Sequence, residues 1–132
     1  MPSADLKASR PLSPHLQIYR WAPTMVVSIA HRITGVALYF GTLLLAWWLI
    51  AAATSAEYFE FVNGLFGSFI GRLILFGYTW ALIHHMLGGI RHFVWDTGAG
   101  LDKHTATRFA YATIAASVIL TLLIWVAGYM AR

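Results

Sequence analysis

The chain has 132 residues, 59% of them hydrophobic and only 11% charged, with a net charge of +4 and no cysteine. Soluble domains carry about 25% charged residues, so the composition argues against an ordinary soluble fold. Disulfides, thiolate metal sites and thiol nucleophiles are excluded, and basic residues placed at the ends of apolar runs fit membrane topology better than nucleic-acid binding.

Residues 1–22 are polar and proline-punctuated, and basic through Lys7, Arg10 and Arg20. They read as an extended or short-turn segment on one membrane face, where Ile18, Tyr19 and Trp21 favour docking over a wholly disordered tail. They lack the apolar core of a cleavable signal. The first helix is predicted over 23–53, with Pro23 in its first turn. It is about 45 Å long, the whole bilayer including its headgroup regions. Thr54 to Asn63 reads as a short connection carrying Glu57 and Glu60. The second helix is predicted over 64–94, with Arg72 near one end and able to snorkel. Asp96 to Thr105 is a glycine-bearing loop, with Thr105 a candidate N-cap for a third helix over 106–130. Phe109 to Met130 is uncharged and reads as a plain span.

The predicted fold is therefore all-α, one domain over 1–132 that crosses the membrane three times. Lys7, Arg10, Arg20, Arg32, Arg91, Lys103 and Arg108 collect on one side, against the acidic connection, Arg72 and Arg132 on the other. Positive-inside counting puts the N-terminus inside and the C-terminus outside, with Trp21 and Trp95 at the inner interface.

Chemistry concentrates between His84 and Asp96. A polar group in hydrocarbon is costly without a partner, so three histidines and an arginine closing an apolar run need explanation. His85 and His92 are seven apart and project from nearly one face, with Tyr78 seven residues earlier. Gly88 and Gly89 remove bulk beside them, which admits either a close helix or the edge of a porphyrin. His85 lies roughly 16 Å from the helix end, near the midplane. His92 and Arg91 lie at the level of haem propionates. His85 is the candidate haem ligand, while His84 is read equally well as a helix-to-helix hydrogen bonder. His31 is expected to lie too near the surface to be the second ligand, which points to another chain. On the first helix Ser28 and Arg32 share a face, continued by Gly35 and Tyr39. They suit a site where a hydroxyl and a guanidinium stabilise charge building on quinone oxygens. Read blandly, Arg32 is a lipid-phosphate anchor and Ser28 a back-bonding hydroxyl.

Two motifs carry a family resemblance. One is Arg10-Pro11-Leu12-Ser13-Pro14-His15-Leu16 with Ser28-Ile29-Ala30-His31-Arg32-Ile33-Thr34-Gly35. The other is His85-Met86-Leu87-Gly88-Gly89-Ile90-Arg91-His92-Phe93-Val94-Trp95-Asp96. With three spans in the expected order, the whole chain resembles the cytochrome b membrane-anchor subunit of succinate dehydrogenase, respiratory complex II. The resemblance implies that His85, in preference to His84, is an axial ligand of haem b, and that a second anchor subunit supplies the other ligand. It implies that Ser28 and Arg32 line a ubiquinone site and that His31, Arg32 and His92 lie near the propionates. It further implies an iron-sulfur subunit docked on the basic inner face of Arg10, Arg20 and Lys103, fed by a flavoprotein. Nothing in the chain resembles a dicarboxylate site or a flavin fold, so it would not be an enzyme alone. Asp96 is a candidate for proton delivery. The expected location is a bacterial inner membrane, or a mitochondrial inner membrane in a eukaryote. The rivals are the anchor of a quinol:fumarate reductase, a small transporter or proton-path subunit using His84, His85 and Arg72, and an assembly protein without a redox role.

Overall fold

A computed structural model describes residues 11–131. The expectations for Lys7, Arg10 and Arg132 lie outside the described residues. Five helices follow in order: α1 (His15–Ile18), α2 (Pro23–Thr54), α3 (Ala56–Gly67), α4 (Phe69–Asp96) and α5 (Lys103–Met130). Among the described residues, α2, α4 and α5 are each long and apolar enough to cross a membrane. The chain is a multi-pass membrane protein.

The boundaries follow from local chemistry. Ala22 is extended, as a residue before proline prefers, and Pro23 occupies the first turn of α2, where its missing N–H costs nothing. At its far end α2 stops at Ser55, whose extended backbone breaks the helix and whose hydroxyl accepts the Tyr58 N–H at 3.2 Å. Thirteen residues later Ser68 repeats the device, accepting the Gly71 N–H at 3.1 Å. The two serines cut out α3, a helix where the sequence suggested an irregular connection, and delay the second span to Phe69 instead of residue 64. Glu57 in the first turn of α3 complements the helix dipole. Trp47 donates to the Tyr58 hydroxyl at 2.8 Å, and Trp48 meets the Phe59 ring edge-on, so α3 folds back on α2. An added Cβ at Gly71 would strike the Leu65 carbonyl oxygen, which ties the start of α4 closely to α3.

After α4, Gly98 and Gly100 adopt positive φ of 80° and 70°, a region costly for other residues. The Trp95 indole donates to the Gly100 carbonyl at 3.1 Å, closing this loop over the end of α4. The N-cap of α5 is Asp102, not the Thr105 suggested by the sequence. Its carboxylate accepts the Thr105 N–H at 2.9 Å, and the helix begins at Lys103, three residues before the expected 106. Thr105 is the recipient of the cap.

Helix α4 packs against α2 along one edge and against α5 along another, and α5 also touches α2. Tyr78 lies directly over Gly41 of α2, where a Cβ would enter the ring. The α5 side is not the plain span expected. Ala110, Thr113, Ser117 and Thr121 form a buried stripe at helical spacing. Each hydroxyl on it donates to a carbonyl three or four residues back in its own helix. Small, self-satisfied residues let membrane helices approach closely. Large apolar side chains elsewhere, such as Tyr39, Phe69 and Met130, are exposed and face whatever surrounds the chain.

Gly41→Ala is expected to lower stability in detergent by about 1–3 kcal/mol through overpacking against Tyr78. Gly77→Ala, where nothing lies within 4 Å, is the control and should melt like wild type. The Asp102 carboxyl is held below its ordinary value by hydrogen bonds from the Thr105 hydroxyl and backbone. A depressed folded-state value means that the cap contributes fully above the unfolded value and is lost as pH falls through the folded one. Protection of the Thr105 amide from exchange should therefore fall below about pH 4 in wild type. Asp102→Asn should lack that step; identical acid profiles would refute the cap.

Candidate functional site

The site begins with a depth match. His31 stands eight residues into α2 and His85 eleven before the end of α4, so in antiparallel helices their Cα levels differ by only about 4 Å. Side chains close that gap. The two imidazoles stack with centroids 4.0 Å apart and planes 7° from parallel, and His92 approaches the same His31 ring at 5.3 Å. His31, which the sequence set aside only as a second ligand, thus lies against His85. The stack exists because Gly88 has no side chain: a Cβ there would overlap the His31 ring at Nδ1. Gly35 gives His85 a close fit, since an added Cβ would lie 3.0 Å from its Cε1.

Hydrogen bonds orient the stack. His85 Nδ1 lies 3.1 Å from the His31 carbonyl oxygen. A carbonyl only accepts, so Nδ1 carries the proton and Nε2 is left with its lone pair. Thr34, buried beside them, donates to the same carbonyl at 3.0 Å and lies 3.4 Å from His85 Nδ1. His85 Nε2 is not among the sealed polar atoms lacking a partner, and no hydrogen bond occupies it among the described residues. His92 is set similarly, donating from Nδ1 to the Gly88 carbonyl at 2.7 Å, with its ring edge-on to Trp95.

His84 and Arg91 take another direction. They share the edge of α4 that faces α5, about 100° round from His85 and His92. His84 is 1% exposed, lies 3.3 Å through Nδ1 from the Ser117 hydroxyl and packs on Trp80. Its contact is thus to α5, whereas that of His85 is to α2. Arg91 is 5% exposed, its guanidinium 4.9 Å from the centre of the Trp95 ring, so it does not join the histidine stack.

Ser28 and Arg32 are exposed on α2, and no hydrogen bond joins either to the stack. They adjoin the edge of α2 that carries Gly35 (Arg32 follows His31 by about 100°). Across from them on α4, Gly89 has nothing within 4 Å. One side of the α2–α4 pair is thus filled by α5, and the other lies open beside His85. Thr34 and Ser117 were not singled out from the sequence. Thr34 follows His31 by three residues, a spacing that could have indicated it; Ser117 lies in an otherwise apolar run and offered no signal. Among the described residues no group of three or more ligating side chains could hold a bare metal ion, which leaves single imidazoles as the ligands on offer.

Three spans, a histidine seam at their core and an unfilled polar flank define a membrane-anchor subunit of a larger assembly. The family model described as succinate dehydrogenase/fumarate reductase transmembrane subunit matches residues 7–124. The succinate dehydrogenase cytochrome b556 subunit of Paracoccus denitrificans is 45% identical over 117 residues, covering 89% of this chain and 90% of the relative. That of Rickettsia felis is 38% identical over 122 residues, covering 92% and 95%. The mitochondrial cytochrome b560 subunit of Sus scrofa is 36% identical over 117 residues, covering 87% of this chain and 69% of the relative. The chain belongs to the succinate dehydrogenase/fumarate reductase transmembrane subunit family, among the cytochrome b anchor subunits of complex II.

If the stack depends on the missing side chain at residue 88, Gly88→Ala should displace His31 and lower the melting temperature. Gly89→Ala, adding a methyl to open space, should be neutral or slightly stabilising because alanine is the better helix former. Equal melting of the two variants would refute the stack.

Proposed function

We propose that this chain binds haem b through His85 and helps form the ubiquinone-reduction site of succinate dehydrogenase. The observation that carries the reading is the His85 imidazole, fixed through Nδ1 by the His31 carbonyl and with Nε2 uncommitted. Metal-ligating histidines commonly hold their second ring nitrogen in this way, which sets the tautomer and raises ligand basicity. A haem in this position supplies a one-electron carrier. His31 does not serve as the opposite ligand. Its ring lies face to face with that of His85, so the two cannot aim nitrogens at one iron from opposite sides. A second anchor subunit supplies that ligand and covers the open flank of α2 and α4.

On this flank His31, Arg32 and His92 lie toward the same helix ends and suit carboxylate recognition; Arg91, held against α5, is set apart from them. Ser28 donates a hydrogen bond to a quinone oxygen, and Arg32 stabilises the negative charge that builds there on reduction. The face bearing the start of α2 and the end of α4 points inward, to the cytoplasm of a bacterium or the matrix of a mitochondrion. Arg20 and Lys103 are exposed at that face and suit docking of an iron-sulfur subunit, which receives electrons from the succinate-oxidising flavoprotein. Asp96, exposed at the end of α4, is placed to relay protons from water. Relatives named for succinate dehydrogenase favour this direction over fumarate reduction.

His85→Ala in the co-expressed complex is expected to abolish haem absorbance, with His84→Ala retaining it; the reverse pattern would overturn the ligand assignment. Ser28→Ala and Arg32→Leu should each slow succinate-driven ubiquinone reduction, by about 10²-fold for loss of a charge-stabilising donor. Succinate oxidation by a soluble dye should stay at the wild-type rate. Normal quinone reduction in both variants would refute the quinone site.

A further inference from the structure

The α4–α5 seam holds a feature that neither the haem nor the quinone reading uses. Arg91 is 5% exposed, yet its Nε and Nη1 have no hydrogen-bond partner among the described residues. Trp95 faces the guanidinium at 4.9 Å, but a ring face does not satisfy in-plane N–H groups. Asp96, the nearest acid on α4, is rotated about 140° from it. A guanidinium stays protonated, so this charge needs an anion that the described residues do not supply.

What surrounds Arg91 describes that anion. It lines a groove of about 210 Å³ between α4 and α5, bordered by Leu87, Ile90 and Val94 on one wall and Phe109, Ala112 and Ala116 on the other. Thr113 also borders the groove, but its hydroxyl is committed to the Phe109 carbonyl at 2.8 Å. The ligand must therefore carry an anionic head and an apolar tail. Depth agrees: α4 is about 42 Å long, the thickness of the whole bilayer, and Arg91 lies about 7 Å from its end, at the headgroup–acyl boundary. Lys103 and Arg108, exposed at the same end on α5, make that rim basic. We propose that the groove is an anionic phospholipid site. The phosphate neutralises the Arg91 guanidinium, which turns toward the groove to meet it, and one acyl chain lies along the groove, covering the α4–α5 seam.

The test uses the intact, detergent-purified complex as wild type, Arg91→Gln and Ala112→Phe, the last filling the groove while keeping the arginine. Native mass spectrometry counts retained phospholipid, and haem absorbance is read on the same samples. Wild type should retain one phospholipid more than either variant, at equal haem content. After delipidation, dioleoyl phosphatidylglycerol should raise the melting temperature of wild type and of neither variant, and inorganic phosphate should not substitute. Equal phospholipid counts in all three proteins overturn the proposal. So does protection by inorganic phosphate equal to that by the lipid, which would mark a site for a free anion. Loss of haem from Arg91→Gln with phospholipid retained would assign the arginine to a propionate and also overturn it. If Arg91→Gln does not assemble, the count for Ala112→Phe decides alone.

Discussion

A polar side chain inside a membrane must find its partner within the protein, and in this chain that requirement converges on the approach of α2 to α4. The His31 carbonyl is already the acceptor of a helical turn, yet it also takes the Thr34 hydroxyl and the His85 imidazole. Gly88 leaves room for the His31 ring, and Gly35 gives the His85 ring a close fit. A methyl at Gly88 would overlap the His31 ring, whereas one at Gly35 would press on the His85 ring at 3.0 Å. Packing and chemistry here are one constraint.

The same economy explains why α4 carries so many polar groups without forming one cluster. Neighbouring residues on a helix diverge by about 100°, so a run such as His84-His85 or Arg91-His92 is divided between two partners. His85 and His92 go to α2, and His84 and Arg91 to α5. Each edge therefore has its own work. The α2 edge presents a nitrogen lone pair beside an open flank, and the α5 edge buries its polar groups against a stripe of small residues. In a bilayer, where hydrocarbon gives no hydrophobic drive between helices, hydroxyl and imidazole contacts across such seams help to set how the helices turn toward one another.

Much of this was legible in composition and spacing. Three apolar lengths identify three spans, and the His85–Asp96 motif with Ser28 to Gly35 identifies the family. What was misread was local. Ser55 and Ser68 cap helices through side chain–backbone bonds that hydropathy does not register, so α3 passed for a loop. Asp102 and Thr105 both had N-cap chemistry, and choosing between them required knowing which hydroxyl or carboxylate met which N–H. The ring stack of His31 on His85 was not foreseen either, because rise along a helix says nothing of side-chain reach.

By itself, the sequence determined that this protein crosses a membrane three times, that its ionisable groups gather toward one end, and that His85 and His92 share a helix edge. Those are consequences of hydropathy, charge and the 3.6-residue turn, all of which act along one chain segment at a time. Only the tertiary structure decided which edge meets which neighbour. It stacked His31 on His85, sent His84 to Ser117 and left Arg91 in a groove without a counterion among the described residues. Partner choice across helices depends on rotation and close approach, and these are set by where glycines and small hydroxyl residues on different spans come opposite one another.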